Sequence, residues 1–377
     1  MRLVTSPRNS IHTQGLVLSA GGARAAYQVG VLRYLGEKFP EFSPKVFAGV
    51  SSGSINASFL AQGQPFSVST ERLHELWYSL TFDQVLETNF TTLFSILNRW
   101  FYDLFISKVT RKLLLTSLLD ASPLSQTILS HTHFWKIHRA IREGKVDGLA
   151  VSTTNYHNGT TTVFFDSCRV TEGWERAHRI GIPTPIKLKH IMASCSIPIL
   201  FEPVRIGDFF YGDGALRFNF PFSPAIKLGA NKILAIGIRC ATPEPLNIER
   251  TEQARLGFVA GAVLNSIFLD SIDLDYENLL RINRLKSTER ESIDALLLRP
   301  SRDLGALAKP HLDEVPFHFR QLLKSTANPE ELGDLLSYLM FSPPYIRKLL
   351  DLGYKDAESQ NEVIRDFIQR KAAPRPT

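Results

Sequence analysis

Three short segments of this 377-residue chain hold residues whose types and spacing suit acyl transfer. Val46-Phe47-Ala48 runs into Gly49-Val50-Ser51-Ser52-Gly53. That is the G-x-S-x-G spacing of a nucleophile elbow, where a sharp strand-to-helix turn exposes a serine hydroxyl. Upstream, Gly15-Leu16-Val17-Leu18-Ser19 runs into Ala20-Gly21-Gly22-Ala23-Arg24. Backbone N–H groups gather partial positive charge at such a helix start. One turn offers a nucleophile and the other a hole for the oxyanion that the nucleophile creates. The third segment, Phe209-Phe210-Tyr211-Gly212-Asp213-Gly214-Ala215, holds an aspartate between two glycines after an apolar run. An aspartate so held could orient and deprotonate Ser51.

Each segment also has a plain reading. G-x-S-x-G is short and permissive when met alone. A glycine-rich turn can cradle a nucleotide phosphate, but the G-x-x-x-x-G-K-[ST] form is missing, and Gly22 to Gly30 does not give G-x-G-x-x-G. Asp213-Gly214 taken singly is an ordinary hairpin turn.

Together, and in this order, the segments resemble the patatin-like phospholipase family, with its G-G-G-x-[RK]-G loop, G-x-S-x-G elbow and D-G-[GA] aspartate. The matching stretches are Ala20-Gly21-Gly22-Ala23-Arg24-Ala25, Gly49-Val50-Ser51-Ser52-Gly53 and Asp213-Gly214-Ala215. The run Ala193 to Val204 is similar to the family segment that precedes the aspartate, and the resemblance covers roughly Gly15 to Cys240. It implies a Ser-Asp dyad with no catalytic histidine: Ser51 as nucleophile, Asp213 as base, and an oxyanion hole at Gly21, Gly22 and Ala23. Arg24, Gly49, Gly53 and Gly214 are then supporting motif residues, and Arg24 either reaches a phosphate or only begins its helix. No metal or cofactor is implied. Two positions depart from the pattern, since Ala20 and Ala25 replace the outer glycines of the loop. Alanine keeps its N–H but restricts positive φ, so a loop needing positive φ there would be distorted and weakly active.

The elements that must position these residues read as an α/β alternation. Strand Leu16–Ser19 precedes a helix through Arg24–Phe39, whose apolar residues Ala25, Val29, Leu32, Leu35 and Phe39 keep the helical period. Strand Val46–Val50 precedes the helix after Ser51, which stops at Gly63. Strands Gly148–Thr153 and Thr161–Phe165 flank the hairpin signal Asn158-Gly159. A helix is expected over Ile186–Ser194, a hairpin over Val204–Ile206 and Phe209–Tyr211, a short helix around Pro224–Leu228 and a strand at Lys232–Ile238. Helical signal then spans Thr251 to Lys286, before a last strand at Ala295–Arg299. The expectation is a three-layer α/β sandwich with a mostly parallel central sheet over residues 12–300. A C-terminal helical extension follows over 301–377, with helices on either side of Pro343-Pro344 and a frayed tail from Lys371. That extension reads as a cap carrying little functional weight.

Composition fits a globular enzyme, with 44% hydrophobic and 21% charged residues. Net charge is +6, mild for this length. It fits a solvated surface or an anionic lipid surface, and no nucleic-acid reader motif accompanies it. The three cysteines, Cys168, Cys195 and Cys240, have no close spacing. They suit a reducing, cytoplasmic setting rather than a disulfide framework or zinc site. Met1 to Thr13 lacks the apolar core of a secretory leader. After Asp213 the chain has only His311 and His318, neither in a recognisable turn motif. His131, His133 and His138 lack a carboxylate or cysteine at ligand spacing. Phe90 to Leu119 is unusually apolar, with Leu93, Leu97, Trp100, Phe101, Leu104 and Phe105 on one helical face and Lys108, Arg111 and Lys112 following. It reads either as core or as a lid making peripheral membrane contact.

The function expected is a serine acyl hydrolase cleaving phospholipid or lysophospholipid esters. The alternatives are a neutral-lipid or short-chain carboxylesterase with the same dyad, and a catalytically weak lipid-binding protein.

Overall fold

The computed structural model describes residues 13–87, 119–217, 220–240, 256–268, 270–285, 292–317, 320–321 and 333–370. The apolar stretch Phe90–Leu119, apart from Leu119, lies outside the described residues, as do His318 and the tail from Lys371.

Ten strands are described: β1 Gln14–Leu18, β2 Val46–Val50, β3 Gly148–Asn155, β4 Thr161–Ser167, β5 Trp174–Arg176, β6 Arg179–Pro183, β7 Val204–Ile206, β8 Phe209–Asp213, β9 Lys232–Ile236 and β10 Asp294–Leu298. They form one sheet in the order β10-β9-β1-β2-β3-β4-β6-β5, with β8 also paired to β3 and β7 to β8. The five strands from β10 to β3 run parallel, which fits the alternation of strands and helices in the first part of the sequence.

The period-2 alternation of strand side chains sorts the core into two halves. Leu16, Leu18, Leu149, Val151, Leu234 and Ile236 join one cluster. Val17, Ala48, Ala150, Ile233 and Ala235 join the other. Helices Ala26–Lys38, Phe66–Tyr78 and Pro343–Ser359 cover the first face, and Phe222–Lys227 and Asp270–Leu285 cover the second. The result is the expected sandwich of helices on both sides of a mostly parallel sheet.

Several elements carry no clear signal in the sequence. Strands β5 and β6 are short and largely half-buried or exposed, with β5 at the edge of the sheet and β6 beside it. Helix Phe66–Tyr78 buries only Ser69, Thr70, Leu73 and Trp77, too narrow a stripe to stand out. The C-terminal part departs most from expectation. Its helices Gly333–Leu339, Pro343–Ser359 and Asn361–Gln369 contribute Leu336, Tyr338, Leu349 and Ile364 to the first core. Gly30 and Gly353 let helices Ala26–Lys38 and Pro343–Ser359 pack with almost no gap, each backbone against the other's carbonyls. Pro343 and Pro344 begin their helix at the positions where the missing N–H costs nothing.

Candidate active site

Sheet register brings the two central residues together. Strand β2 pairs with β3 as far as Val50↔Ser152. Strand β4 occupies the opposite edge of β3, through Thr153↔Thr162 and Thr154↔Thr161. Strand β8 therefore lies on the edge where β2 leaves off, entering from the other end and finishing at Asp213↔Thr153. Two strands meet head to head: Ser51 is the residue that follows β2, and Asp213 is the last residue of β8. The next residue, Gly214, sits against the Ser152 carbonyl and within 2.8 Å of the Val50 side chain, measured from where a Cβ would stand.

Ser51 has φ 52° and ψ −132°, a conformation that β-carbon sterics disfavour and that is found at strained functional turns. Its surroundings hold it there. The Ser51 N–H donates to Ser194 Oγ at 2.9 Å, and the Ser194 hydroxyl donates to the Ser152 carbonyl at 2.7 Å. The Ser51 carbonyl accepts from the N–H and the hydroxyl of Ser54, at 2.8 and 2.6 Å. Gly53 faces the carbonyls of Leu18 and Ser19 so closely that a side chain would strike them, and Gly49 faces the Gly53 carbonyl in the same way. The G-x-S-x-G spacing is thus a packing requirement at both ends.

Asp213 is fully buried. Its Oδ1 accepts from the Ala215 N–H at 2.9 Å, its backbone N–H donates to the Ser196 carbonyl, and its carbonyl accepts from the Thr154 hydroxyl. Oδ2 has no well-formed hydrogen bond. The Ser51 hydroxyl is nonetheless close enough to steady the charged carboxylate. Burial outweighs both donors and lifts the carboxyl to about 7. Such a group changes charge near neutral pH, as a general base must. The same carboxylate acts on nearby Tyr156, whose hydroxyl burial already raises, to about 12.

The first glycine-rich turn lies on the neighbouring strand, since β1 and β2 pair through Leu18↔Gly49. Gly22 has φ +53° and opens a 3-10 turn, Gly22–Ala25, that leads into helix Ala26–Lys38. The first N–H groups of a helix lack intrahelical acceptors, and Gly22 and Ser51 line the same pocket. Neither Ala20 nor Ala25 has positive φ, and Ala25 is helical at −65°, −11°. Neither alanine is therefore itself forced into the left-handed region.

Arg24 points into the protein. Its side chain is 2% exposed and is engaged by helix Gly333–Leu339: Nε donates to Ser337 Oγ at 2.7 Å and Nη2 to Asp334 Oδ1 at 3.0 Å. This burial favours the second of the two readings, in which Arg24 only begins its helix, over contact with a phosphate.

The pocket beside Ser51 is almost wholly apolar, walled by Trp77, Leu80, Ile128, Ile197, Phe201 and Leu339 among others. A separate polar cleft of about 410 Å³, lined by Arg72, Glu75, His133 and Lys136, lies beyond the shared wall of Leu76 and His131 and does not include Ser51. His131 Nδ1 is engaged by Thr127 O and Ser130 Oγ on its own helix, and His138 Nδ1 by Asp166 Oδ2 at 2.6 Å. His311 Nδ1 pairs with Glu314 Oε1.

Residues that the sequence did not flag individually also shape the site. Ser194, which fixes the Ser51 N–H, lies inside the Ala193–Val204 run, so a signal for it was present. Tyr338, Leu339 and Phe341 line the pocket from a segment that matches no motif, in the part expected to be a cap.

A doubly covered parallel sheet with a strained serine at one strand end and a buried aspartate at the next defines a patatin-type α/β fold. The family model for patatin-like phospholipase matches residues 16–226, more than half of the chain, and the chain belongs to that family. It is 32% identical over 213 residues to the "Probable lipid hydrolase 463L" of Invertebrate iridescent virus 6, covering 56% of this chain and 63% of that protein. It is 23% identical over 215 residues to the "Uncharacterized protein R571" of Acanthamoeba polyphaga mimivirus, covering 56% and 60%. The matches thus span less than two thirds of these curated relatives' length. Among solved structures, human GIVD cytosolic phospholipase A2 aligns with a TM-score of 0.44 at 13% identity, over 96% of this chain and 59% of that one. VipD from Legionella pneumophila aligns with a TM-score of 0.40 at 13% identity, over 94% and 68%.

Proposed function

We propose that the chain hydrolyses carboxylic esters of phospholipids or lysophospholipids through a Ser51–Asp213 dyad and an acyl-enzyme. One observation carries the reading: β2 and β8 end head to head on one edge of β3, setting a strained serine beside a buried carboxyl poised near neutral pH. Ser51 Oγ attacks the ester carbonyl while Asp213 takes its proton. The N–H groups of Gly21, Gly22 and Ala23 hold the developing oxyanion. Asp213 returns the proton to the leaving alcohol, and water attacks the acyl-enzyme by the same route in reverse. The apolar walls of the pocket take the acyl chain.

Among the described residues no helix is long and apolar enough to cross a membrane, and the lipid is met from outside the bilayer in this reading. The cysteines fit a reducing compartment, and we place the activity in the cytoplasm at a membrane surface. The alternative of a weakly active lipid-binding protein rests on Ala20 and Ala25, neither of which has positive φ.

The test is covalent labelling by a fluorophosphonate probe, followed by hydrolysis of a panel of phospholipid, lysophospholipid, triglyceride and p-nitrophenyl esters. Labelling confined to Ser51, with phospholipid or lysophospholipid turned over fastest, is expected. No labelling overturns the mechanism, and preference for triglyceride or short-chain esters moves the substrate class.

A further inference from the structure

The oxyanion turn is not built by its own segment alone. Where an ideal Cβ would stand on Gly22, the nearest atom is the backbone carbonyl oxygen of Tyr338, too close for any side chain. Two residues on, Arg24 leaves the turn and inserts into the same helix, Gly333–Leu339. Nε donates to Ser337 Oγ at 2.7 Å, Nη1 to the Tyr338 hydroxyl at 3.3 Å and Nη2 to Asp334 Oδ1 at 3.0 Å. The guanidinium carbon also lies 4.1 Å from the centre of the Tyr338 ring. Tyr338 in turn donates its hydroxyl proton to Asn265 Oδ1 at 2.9 Å, and Ser337 donates to the Asp334 carbonyl at 2.6 Å. Every member of the cluster is held by another.

A guanidinium at 2% exposure is a costly choice if stability is all that is wanted. Well-packed apolar side chains usually do as well as a buried ion pair or better. What a planar, five-donor group adds is a fixed register between two segments. The two segments here are the turn that carries the oxyanion N–H groups and a helix more than 300 residues away that also walls the Ser51 pocket with Tyr338 and Leu339. Donors of this kind act only when held to within roughly half an ångström.

We propose that Arg24 is a positioning residue for the oxyanion turn and that helix Gly333–Leu339 is its template. The C-terminal helix sets where the Gly22 and Ala23 N–H groups point, so acyl transfer depends on a segment beyond residues 16–226. This inference rests on the acyl-hydrolase reading above.

The experiment uses the full chain and an uncharged, soluble p-nitrophenyl ester, assayed well below the melting temperature. Arg24→Met, close to Arg in length and uncharged, is expected to lower kcat by about 10²-fold with KM little changed, and to slow fluorophosphonate labelling in parallel. Arg24→Lys, which keeps the charge but loses the fork, should fall between the two. Asp334→Asn, whose carboxylate is 41% exposed, loosens the same ion pair without emptying the core. It keeps the proposal testable if Arg24→Met does not fold, with an expected loss in kcat of about threefold to tenfold. An unchanged kcat with only a lower melting temperature would make the cluster structural and overturn the proposal. Loss on phospholipid but not on the uncharged ester would make Arg24 a phosphate ligand and overturn it equally. If the unsubstituted chain neither labels nor hydrolyses, the failure belongs to the acyl-hydrolase reading and not to Arg24.

Discussion

The Ser51 turn and the Gly21–Ala23 turn sit side by side on neighbouring strands, yet they are held by opposite means. The Ser51 turn is fixed by what lies next to it: its own glycines against adjacent carbonyls, its own helix start, and one outside hydroxyl from Ser194. The Gly21–Ala23 turn is fixed from a distance, by the Tyr338 carbonyl against Gly22 and by the Arg24 cluster. A nucleophile needs one side chain aimed along one direction, which a five-residue motif can encode. A hole needs several N–H groups converging on a point outside the chain, and here the surface that sets them comes from another part of the molecule.

The largest effect is expected at the first turn. Ser51→Ala should abolish hydrolysis and labelling, a loss of at least about 10⁴-fold, with an unchanged circular dichroism spectrum, because the hydroxyl serves only the chemistry. Asp213→Asn should cost nearly as much, since members of a coupled pair fail together. Steady-state kinetics on both variants and the double variant check this. A double variant far worse than either single one would mean that the two residues act separately. Retained activity in Ser51→Ala with loss in Ser52→Ala would move the nucleophile by one residue.

The second turn should respond differently. Gly22→Ala forces a Cβ into the Tyr338 carbonyl at φ +53°, so stability and activity should fall together. We expect about 1–3 kcal/mol from backbone strain, more where the helix cannot yield, and about 10²-fold in kcat if the N–H groups are displaced. Urea unfolding alongside kinetics measures both. A Gly22→Ala enzyme with full activity and full stability would show that the C-terminal helix does not set this turn.

How legible each part was follows from the same contrast. Ser51, its flanking glycines and Asp213 carry their geometry in local sequence, and the short apolar runs at Leu16–Leu18, Val46–Val50 and Lys232–Ile236, alternating with helices, announced the parallel sheet. Head-to-head placement of β2 and β8 could not be read, because register along β3 is a property of pairing and not of either strand. The role of Arg24 was hidden for the same reason. Its partners Asp334, Ser337 and Tyr338 form no motif, and a buried guanidinium looks no different in sequence from one on the surface. Strands β5 and β6 escaped because they are short and mostly half-buried or exposed, so neither shows a clear apolar run.

A smaller, graded effect concerns pH. The Asp213 carboxyl is raised from 3.8 to about 7 by burial. Asp213 must be unprotonated to accept a proton from Ser51, so kcat/KM should rise with pH and level off above a midpoint near 7. Stability runs the other way. Between pH 3.8 and 7 the folded chain holds a proton on Asp213 that the unfolded chain has released, so this group's contribution falls as pH rises through that window. Asp213→Asn should therefore be more stable relative to the unsubstituted chain at pH 8 than at pH 4, by as much as about 4 kcal/mol. Asp275, raised to about 6 by burial, adds a trend of the same sign that the variant retains. Melting temperatures of both proteins at the two pH values measure the difference. An equal offset at both would mean that Asp213 titrates as an exposed carboxylate does and is not the poised base.

The smallest effect is expected at the histidines, and it separates a dyad from a triad. His131 lines the pocket that holds Ser51, which makes it the described histidine best placed to rival Asp213. Its Nδ1, however, is engaged within its own helix by Thr127 O and Ser130 Oγ, and no carboxylate among the described residues is paired with the ring. His311 is spent on Glu314 and on packing against Tyr345. His131→Ala and His311→Ala should each change kcat by less than about threefold, far below the 10²–10⁴-fold that a general base contributes. If His131→Ala matched the loss in Asp213→Asn, the base would lie on the pocket wall. The aspartate would then only orient Ser51, and the turn at Gly49–Gly53 would prove as dependent on a remote segment as the turn at Gly21–Ala23.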